Sequence, residues 1–364
     1  MIGRRRRWGV AAVSVALGLA VAAAGCGKHK KKKHHHDLGK IDASAAEDPW
    51  VAPGTAAPPS TADCERLPFA TSIPVPEASG AAWLHGVDGA GDVVIVIGDS
   101  GHGGAYVEID ATTGALLRRG NLPLGEGAGD DVEGLATDGQ RLWGLTSAGW
   151  LRAWEREGDH FRLVLGPYSV ERRGPCKFDD VNCGHDFEGL CLRPAGTVDG
   201  QGCVGFAASR AESALFCLTA ATVPPEGAGP GVGPWLTLAV REGKSKPHPG
   251  PELTGKRALA DCAIAGDGAV WTGDNLLGGA MVRRLDAPSW QGALGVGFPE
   301  AMALAPDGVV YRFSDAGGSP SLAARYRCPA AKAGPATGAL TGVAAAAPSP
   351  SPSPSPAPPA PPAP

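Results

Sequence analysis

Aromatic residues make up only 6% of this 364-residue chain. A chain that has few rings but 54 Gly and 34 Pro suits many short strands and turns better than a helical bundle. No stretch carries sustained helical periodicity, because apolar runs are short and broken by glycine and proline. Long hydrophobic runs are missing too, except from Trp8 to Ala24, and that run is slightly short for a membrane-crossing helix. Positive charge is scarce beyond the N-terminus. Residues 1–40 carry ten Lys and Arg against the single Asp37, a net +9, which leaves −13 on the rest of a chain of net charge −4. So acidic a remainder repels phosphate backbones, which argues against nucleic acid as a partner and is compatible with cation binding.

What the chain does have is a repeated turn. Five Asp-Gly dipeptides, at Asp88-Gly89, Asp138-Gly139, Asp199-Gly200, Asp267-Gly268 and Asp307-Gly308, each lead into a short β-like run. Asp and Gly tolerate the positive φ angles of two-residue hairpin turns, so each pair predicts a hairpin. In the third repeat the turn can instead sit at Ala195-Gly196, which leaves Asp199-Gly200 in an insertion. The runs that follow, residues 93–100, 142–147, 203–209, 269–275 and 309–315, all end in small polar residues. The segments before the turns also rhyme: residues 188–194 match residues 300–306 position for position, and Glu133-Gly134-Leu135-Ala136 is a shorter relative. Residues around Glu77 and Asp261 fit more loosely, with the acidic position shifted by one or two.

Successive Asp-Gly pairs lie 50, 61, 68 and 40 residues apart, periods that point to a propeller or another stacked array. More strand candidates follow in each period, among them residues 105–110, 115–119, 151–156 and 161–165, and four strands per period make a propeller blade. The expected fold is an all-β propeller of five four-stranded blades. Six is the alternative, with a degenerate blade in residues 211–256, where 215–219 and 235–240 are strand-like. A sandwich competes, but would not be expected to repeat one hairpin with an acidic start and a polar end.

The chain ends read as segments outside this fold. Arg4 to Arg7, the apolar run and the small residues before Cys26 make residues 1–25 an export signal. The segment resembles bacterial lipoprotein signals, with Ala23 where Leu is usual. That resemblance implies a lipidated Cys26 and a cell-envelope location, with the membrane as one partner. Residues 26–62 form a basic His/Lys and Pro/Ala-rich tether, better read as a solvated arm beside an anionic membrane than as a metal site. Residues 63–330 are the propeller, and residues 331–364 a Pro/Ala/Ser tail with nothing to bury.

Cys26 apart, eight cysteines remain, and an even number in an exported chain implies disulfides. Cys64 precedes the first repeat and Cys328 ends the last, so their pairing would staple an N-terminal strand, about residues 66–73, into the final blade. Cys176 and Cys183 bracket a polar loop and are expected to bond each other. The other connectivities stay open, and zinc is less expected because no second Cys or His pair has ligand spacing.

Two motifs tempt without carrying far. Gly98-Asp99-Ser100-Gly101 resembles the nucleophile segment of chymotrypsin-like proteases, but too little chain precedes it, and its slot recurs at the end of other repeats. Gly101-His102-Gly103-Gly104 precedes a strand rather than a helix, so no phosphate loop is supported.

More weight falls on the rim. In an antiparallel hairpin the start of the first strand neighbours the end of the second, so Glu133 should meet Ser147, Glu188 meet Ser209, and Glu300 meet Ser314. With the first strand of each blade innermost, these positions ring the channel mouth. Repetition favours a structural role for the ring, so the non-repeated His102, Asp130, Asp131, His185, Asp186 and Arg210 are better site candidates. The candidate metal set is Asp130, Asp131, Glu133, Asp186 and Glu188, for which Ca2+ suits the oxygen donors, with His102 or His185 as proton-transfer groups.

Repeats of the form Glu-Gly-Leu-Ala, turn, strand, then Ser or Asp resemble those of the phytase-like (esterase-like) and SdiA-regulated propeller families of exported bacterial proteins, over residues 75–328. The metal segment Asp-Asp-Pro-Ala of true propeller phytases is absent, since Asp130-Asp131-Val132-Glu133 lacks its proline. The expected function is a cell-envelope lipoprotein whose propeller binds a small molecule, glycan or protein at the channel mouth. The resemblance implies the alternative, a Ca2+-dependent ester or phosphoester hydrolase.

Overall fold

In the computed structural model, residues 64–328 are described, apart from breaks at 87–90, 127–128, 172–175, 178, 226–227, 229–230, 240–252, 254–257, 277–278, 286–289, 294–297 and 316–319. The export signal, Cys26, the tether 26–62, the tail 331–364 and the Asp88-Gly89 turn lie outside the described residues.

Two short strands come first, β1 (Glu65–Leu67) and β2 (Ser72–Pro76), and five sheets follow among the described residues. The first sheet holds β3 (Ala78–Leu84), β4 (Val93–Gly98), β5 (Ala105–Asp110) and β6 (Leu116–Asn121). The second holds β7 (Val132–Thr137), β8 (Leu142–Thr146), β9 (Trp150–Glu157) and β10 (His160–Ser169). In the third are β11 (Phe187–Leu192), β12 (Gly205–Ser209), β13 (Ala214–Ala221) and β14 (Trp235–Leu238), and in the fourth β15 (Leu259–Ile264), β16 (Val270–Leu276), β17 (Gly279–Arg284) and β18 (Trp290–Ala293). The fifth holds β19 (Phe298–Leu304), β20 (Val309–Asp315) and β21 (Pro320–Arg327), and both β1 and β2 pair antiparallel with β21. No helix occurs among the described residues.

Apart from β1 and β2, the strands of each sheet run in sequence order, so consecutive strands are antiparallel neighbours joined by local connections. Two Asp-Gly pairs depart from the expected two-residue turn. Gly266-Asp267-Gly268 and Pro306-Asp307-Gly308 are three-residue loops in which Gly268 and Gly308 alone take positive φ, 86° and 85°. The Asp carboxylate fixes each loop by accepting the N–H two residues on, from Ala269 at 3.1 Å and Val309 at 3.3 Å. Asp199-Gly200 lies in the long connection between β11 and β12, as an insertion there requires. Residues 215–219 and 235–238 fall on β13 and β14, outer strands of the third sheet, rather than in a sheet of their own.

The sheets stack face to face in a cycle. A separate apolar cluster fills each junction: Ile95 and Leu135 between the first and second sheets, Trp143 and Phe216 between the second and third, Phe206 and Val270 between the third and fourth, Trp271 and Val310 between the fourth and fifth, and Phe313 and Val96 between the fifth and first. This explains why β4 is apolar at every position from Val93 to Ile97 and wholly buried. Val94 and Val96 face one neighbouring sheet, Ile95 and Ile97 the other. Each such side chain contributes roughly 1.5–3 kcal/mol of transfer free energy. The first strands close the ring at the centre, with β3 against β7, β7 against β11, β11 against β15, β15 against β19, and β19 against β3. A narrow cavity of about 60 Å³ runs between them, lined by Ala81, Leu135, Leu190, Cys262 and Met302, one from each. The fold is a β-propeller.

Four disulfides brace it. Cys64–Cys328 ties the start of the described chain to its end, and Cys176–Cys183 closes the polar loop. The two pairings the sequence left open are Cys191–Cys262, which joins inner strands β11 and β15, and Cys203–Cys217 within the third sheet. Such bonds fit an oxidising location outside the cytoplasm. The expected single strand at 66–73 is interrupted. Pro68 has no N–H to give a ladder, and beside it the Phe69 ring turns onto Tyr311, 5.7 Å between centroids.

Candidate functional site

The Glu-Gly rhyme has a physical cause in the strand register. Every inner strand slips once near its start, between Ala78 and Gly80, Val132 and Gly134, Phe187 and Gly189, Leu259 and Asp261, and Pro299 and Ala301. The extra residue at each β-bulge is Ser79, Glu133, Glu188, Ala260 or Glu300, so three of the five carry a carboxylate. The expected Glu–Ser pairing is therefore displaced. Val132, Phe187 and Pro299 oppose Thr146, Ser209 and Ser314, and the glutamates sit in the bulges beside them. The glycine that follows permits close packing: a Cβ on Gly80 would lie 2.9 Å from Leu135 N, and one on Gly134 only 2.4 Å from Leu190 N. In the fourth sheet Asp261, which aligned loosely with the glutamates, takes the glycine's slot instead. It is fully buried and accepts the Met302 N–H of the next inner strand at 2.6 Å.

The three bulge glutamates gather at one end of the channel, where the charges of Glu188 and Glu300 act on Glu133 and that of Glu300 on Glu188. Burial, then Glu188 and Asp99, push the Glu133 carboxyl well above the usual range. Burial pushes Glu188 up to about 9, although Arg210 opposes the shift, and burial with Asp315 and Asp99 pushes Glu300 up to about 7. Asp131 is also raised, by burial first, against the Ser147 hydroxyl that hydrogen-bonds it. Unlike charges at this mouth are few, and folding alone does not call for such a cluster.

The sequence-selected residues divide into separate groups. Asp131 and Glu133 come together with Asp99, one carboxylate oxygen of each lying within 4.8 Å of the others. Asp130 turns instead to the Gly101-His102-Gly103 loop, where its Oδ2 accepts the N–H groups of Gly101 at 3.0 Å and Gly103 at 2.8 Å. Burial would raise its pKa, but those two bonds together with its own N–H and His102 outweigh it and leave the group below the ordinary value. Asp186 and Glu188 hold Arg210, each at 2.9 Å. His102 Nε2 lies 2.9 Å from Glu77. His185 is clasped by Glu171, 3.0 Å away, and Glu212. The Glu171 hydrogen bond, against burial, leads the upward shift of its pKa.

Two members of the mouth, Asp99 and Glu300, were not among the sequence-selected site residues. Glu300 was legible as the partner of Glu188 in the repeat, and Asp99 lay in the strand-end slot that looked like punctuation. Chemically the mouth is a cluster of carboxylates, with one guanidinium and two histidines among the sequence-selected residues beside it, all three already engaged by carboxylates.

No family model and no curated protein matches the chain. Solved structures similar to it include a streptogramin B lyase, at 12% identity over 73% of each chain with a TM-score of 0.31. A luciferin-regenerating enzyme is 10% identical over 76% of this chain and 98% of its own, TM-score 0.37. Regucalcin from Agrobacterium tumefaciens, a calcium-binding protein, is 12% identical over 75% and 98%, TM-score 0.33.

Proposed function

We propose that this chain is a lipid-anchored envelope protein whose five sheets act as five blades, closed by Glu65–Leu67, and whose acidic channel mouth is a ligand seat. The observation that carries it is the convergence of Glu133, Glu188 and Glu300 on one buried, mutually repelling site. Local partners answer only part of this charge: Arg210 pairs with Glu188 and the Asn275 amide donates to Glu300 at 3.2 Å, but Glu133 has no such partner among the described residues, unlike Asp261 with its two backbone N–H groups. Closure is supported by the β1–β21 ladder and the Cys64–Cys328 bond. Anchoring through Cys26 is supported by the signal-like N-terminus and by disulfides. A hydrolase of the phytase-like or esterase-like kind would draw on His102 and His185, and each is oriented by a carboxylate, but neither joins the cluster of Asp99, Asp131 and Glu133, so the geometry favours binding over turnover.

The test is capture from an envelope extract on the immobilised chain, with Arg210→Ala in parallel. Retention of a small molecule, glycan or protein by the wild type, weakened in the variant, supports the reading. Retention of nothing, or of the same material on both, overturns it.

A further inference from the structure

We propose that the channel mouth binds one hard divalent cation, Ca2+ foremost, on Asp99, Asp131 and Glu133. The inference deepens the reading of the mouth as a ligand seat and rests on it. Its first support is distance. The three carboxylates offer oxygens within 4.8 Å of one another, close enough to share one ion. Ca2+ takes several protein oxygens in flexible geometry, whereas Mg2+ demands a near-ideal octahedron and usually keeps several of its waters, so a cluster of carboxylates suits Ca2+ better.

The second support is Glu133 itself. It is 8% exposed, and among the described residues it has no hydrogen-bonding or ion-pairing partner. The largest charges acting on it, Glu188, Asp99, Asp131 and Glu300, are all of its own sign, and Arg210, the cation that also feels it, is already paired with Asp186 and Glu188. A carboxylate buried in that company is costly unless a proton or a cation joins it. Neighbouring basic side chains are committed elsewhere: Arg210 to Asp186 and Glu188, His102 to Glu77.

The third is that the other two ligands are held from behind. Asp131 is bonded through Oδ2 to the Ser147 hydroxyl, which in turn accepts the Asn182 N–H at 2.9 Å. Asp99 accepts the Ser100 N–H through Oδ1. Each keeps a second oxygen for an ion, oriented by a fixed partner, as in built metal sites. Three carboxylates also leave a bound dication with surplus negative charge, so the site would favour cation over anion in whatever ligand completes it.

The experiment is calorimetric titration of the chelator-stripped full chain with CaCl2, with melting measured in parallel. One saturable site and a rise in Tm are expected. Asp99→Asn and Glu133→Gln should each weaken binding about tenfold or more, and Asp186→Asn only a few-fold. Without metal, Glu133→Gln should melt no lower than wild type, because it removes an unpaired buried charge. This separates a lost ligand from a damaged fold. Absence of saturable binding by the wild type, or an equal loss in Asp186→Asn, overturns the cation. Capture of an envelope ligand that persists in chelator would then leave the mouth standing without it, whereas Ca2+ binding without any capture sinks only the ligand-seat reading.

Discussion

Replacing Gly134 by alanine pushes a methyl group into the neighbouring inner strand. The added Cβ would stand 2.4 Å from Leu190 N, 2.6 Å from Gly189 C and 2.8 Å from Leu190 Cβ, where ordinary contact begins near 3.4 Å. Two of those atoms are backbone, so relief requires β7 and β11 to part by about 1 Å rather than a rotamer to swing aside. The cyclic packing of the inner strands makes that hard, because widening one junction tightens the others. Overpacking costs about 1–3 kcal/mol, and a closed ring belongs at the upper end. With an unfolding entropy of about 2.1 cal/mol/K per residue over the roughly 265-residue domain, 3 kcal/mol lowers Tm by about 5 °C. Gly200→Ala is the control, since nothing lies within 4 Å of its Cβ, and it should shift stability by no more than about 0.5 kcal/mol. Calorimetric melting of both under non-reducing conditions decides the matter. If Gly134→Ala melts with Gly200→Ala, the claim that these glycines set the spacing of the inner strands is wrong.

Removing the Cys64–Cys328 bond by a double serine substitution opens a loop of 264 residues, and the chain-entropy relation gives a loss of about 5.6 kcal/mol, read as a shift in the urea midpoint. A change below about 1 kcal/mol would mean that the end strands hold without it. In chelator, stability should fall as pH rises from 5 to 9. Glu300 at about 7 and Glu188 at about 9 keep protons in the folded state that the unfolded chain releases near its ordinary carboxyl pKa, and His185, also raised, acts in the same direction. Glu300→Gln should flatten the part between pH 5 and 7, and a wild-type Tm that rises across this range would contradict the site's electrostatics.

Turn chemistry is local, so Asp267-Gly268 and Asp307-Gly308 announced their hairpins in the sequence, though not the number of residues in each loop. Cys64 with Cys328 was legible because they bracket the repeats. Cys191 with Cys262 was not, since that bond depends on which inner strands become neighbours in space. The rhyme of Glu133, Glu188 and Glu300 was visible, but a register slip is a property of two strands at once, so the bulge that aims these side chains was hidden. Asp261 misled for the same reason. Its charge suggested kinship with the glutamates, while its place in the register made it a bridge between β15 and β19. Asp99 follows a wholly apolar strand in a tetrapeptide with a protease look, and only the approach of the second sheet gives it company in Asp131 and Glu133.

The Cys64–Cys328 bond also has a mechanical consequence. Its two Cα atoms are 4.3 Å apart, so the chain enters and leaves the domain at one point. Tension applied between the N-terminal arm and the proline-rich tail would pass through a single covalent link and bypass the sheets. A domain clamped in this way could be pulled by its two ends while its interior bore no load.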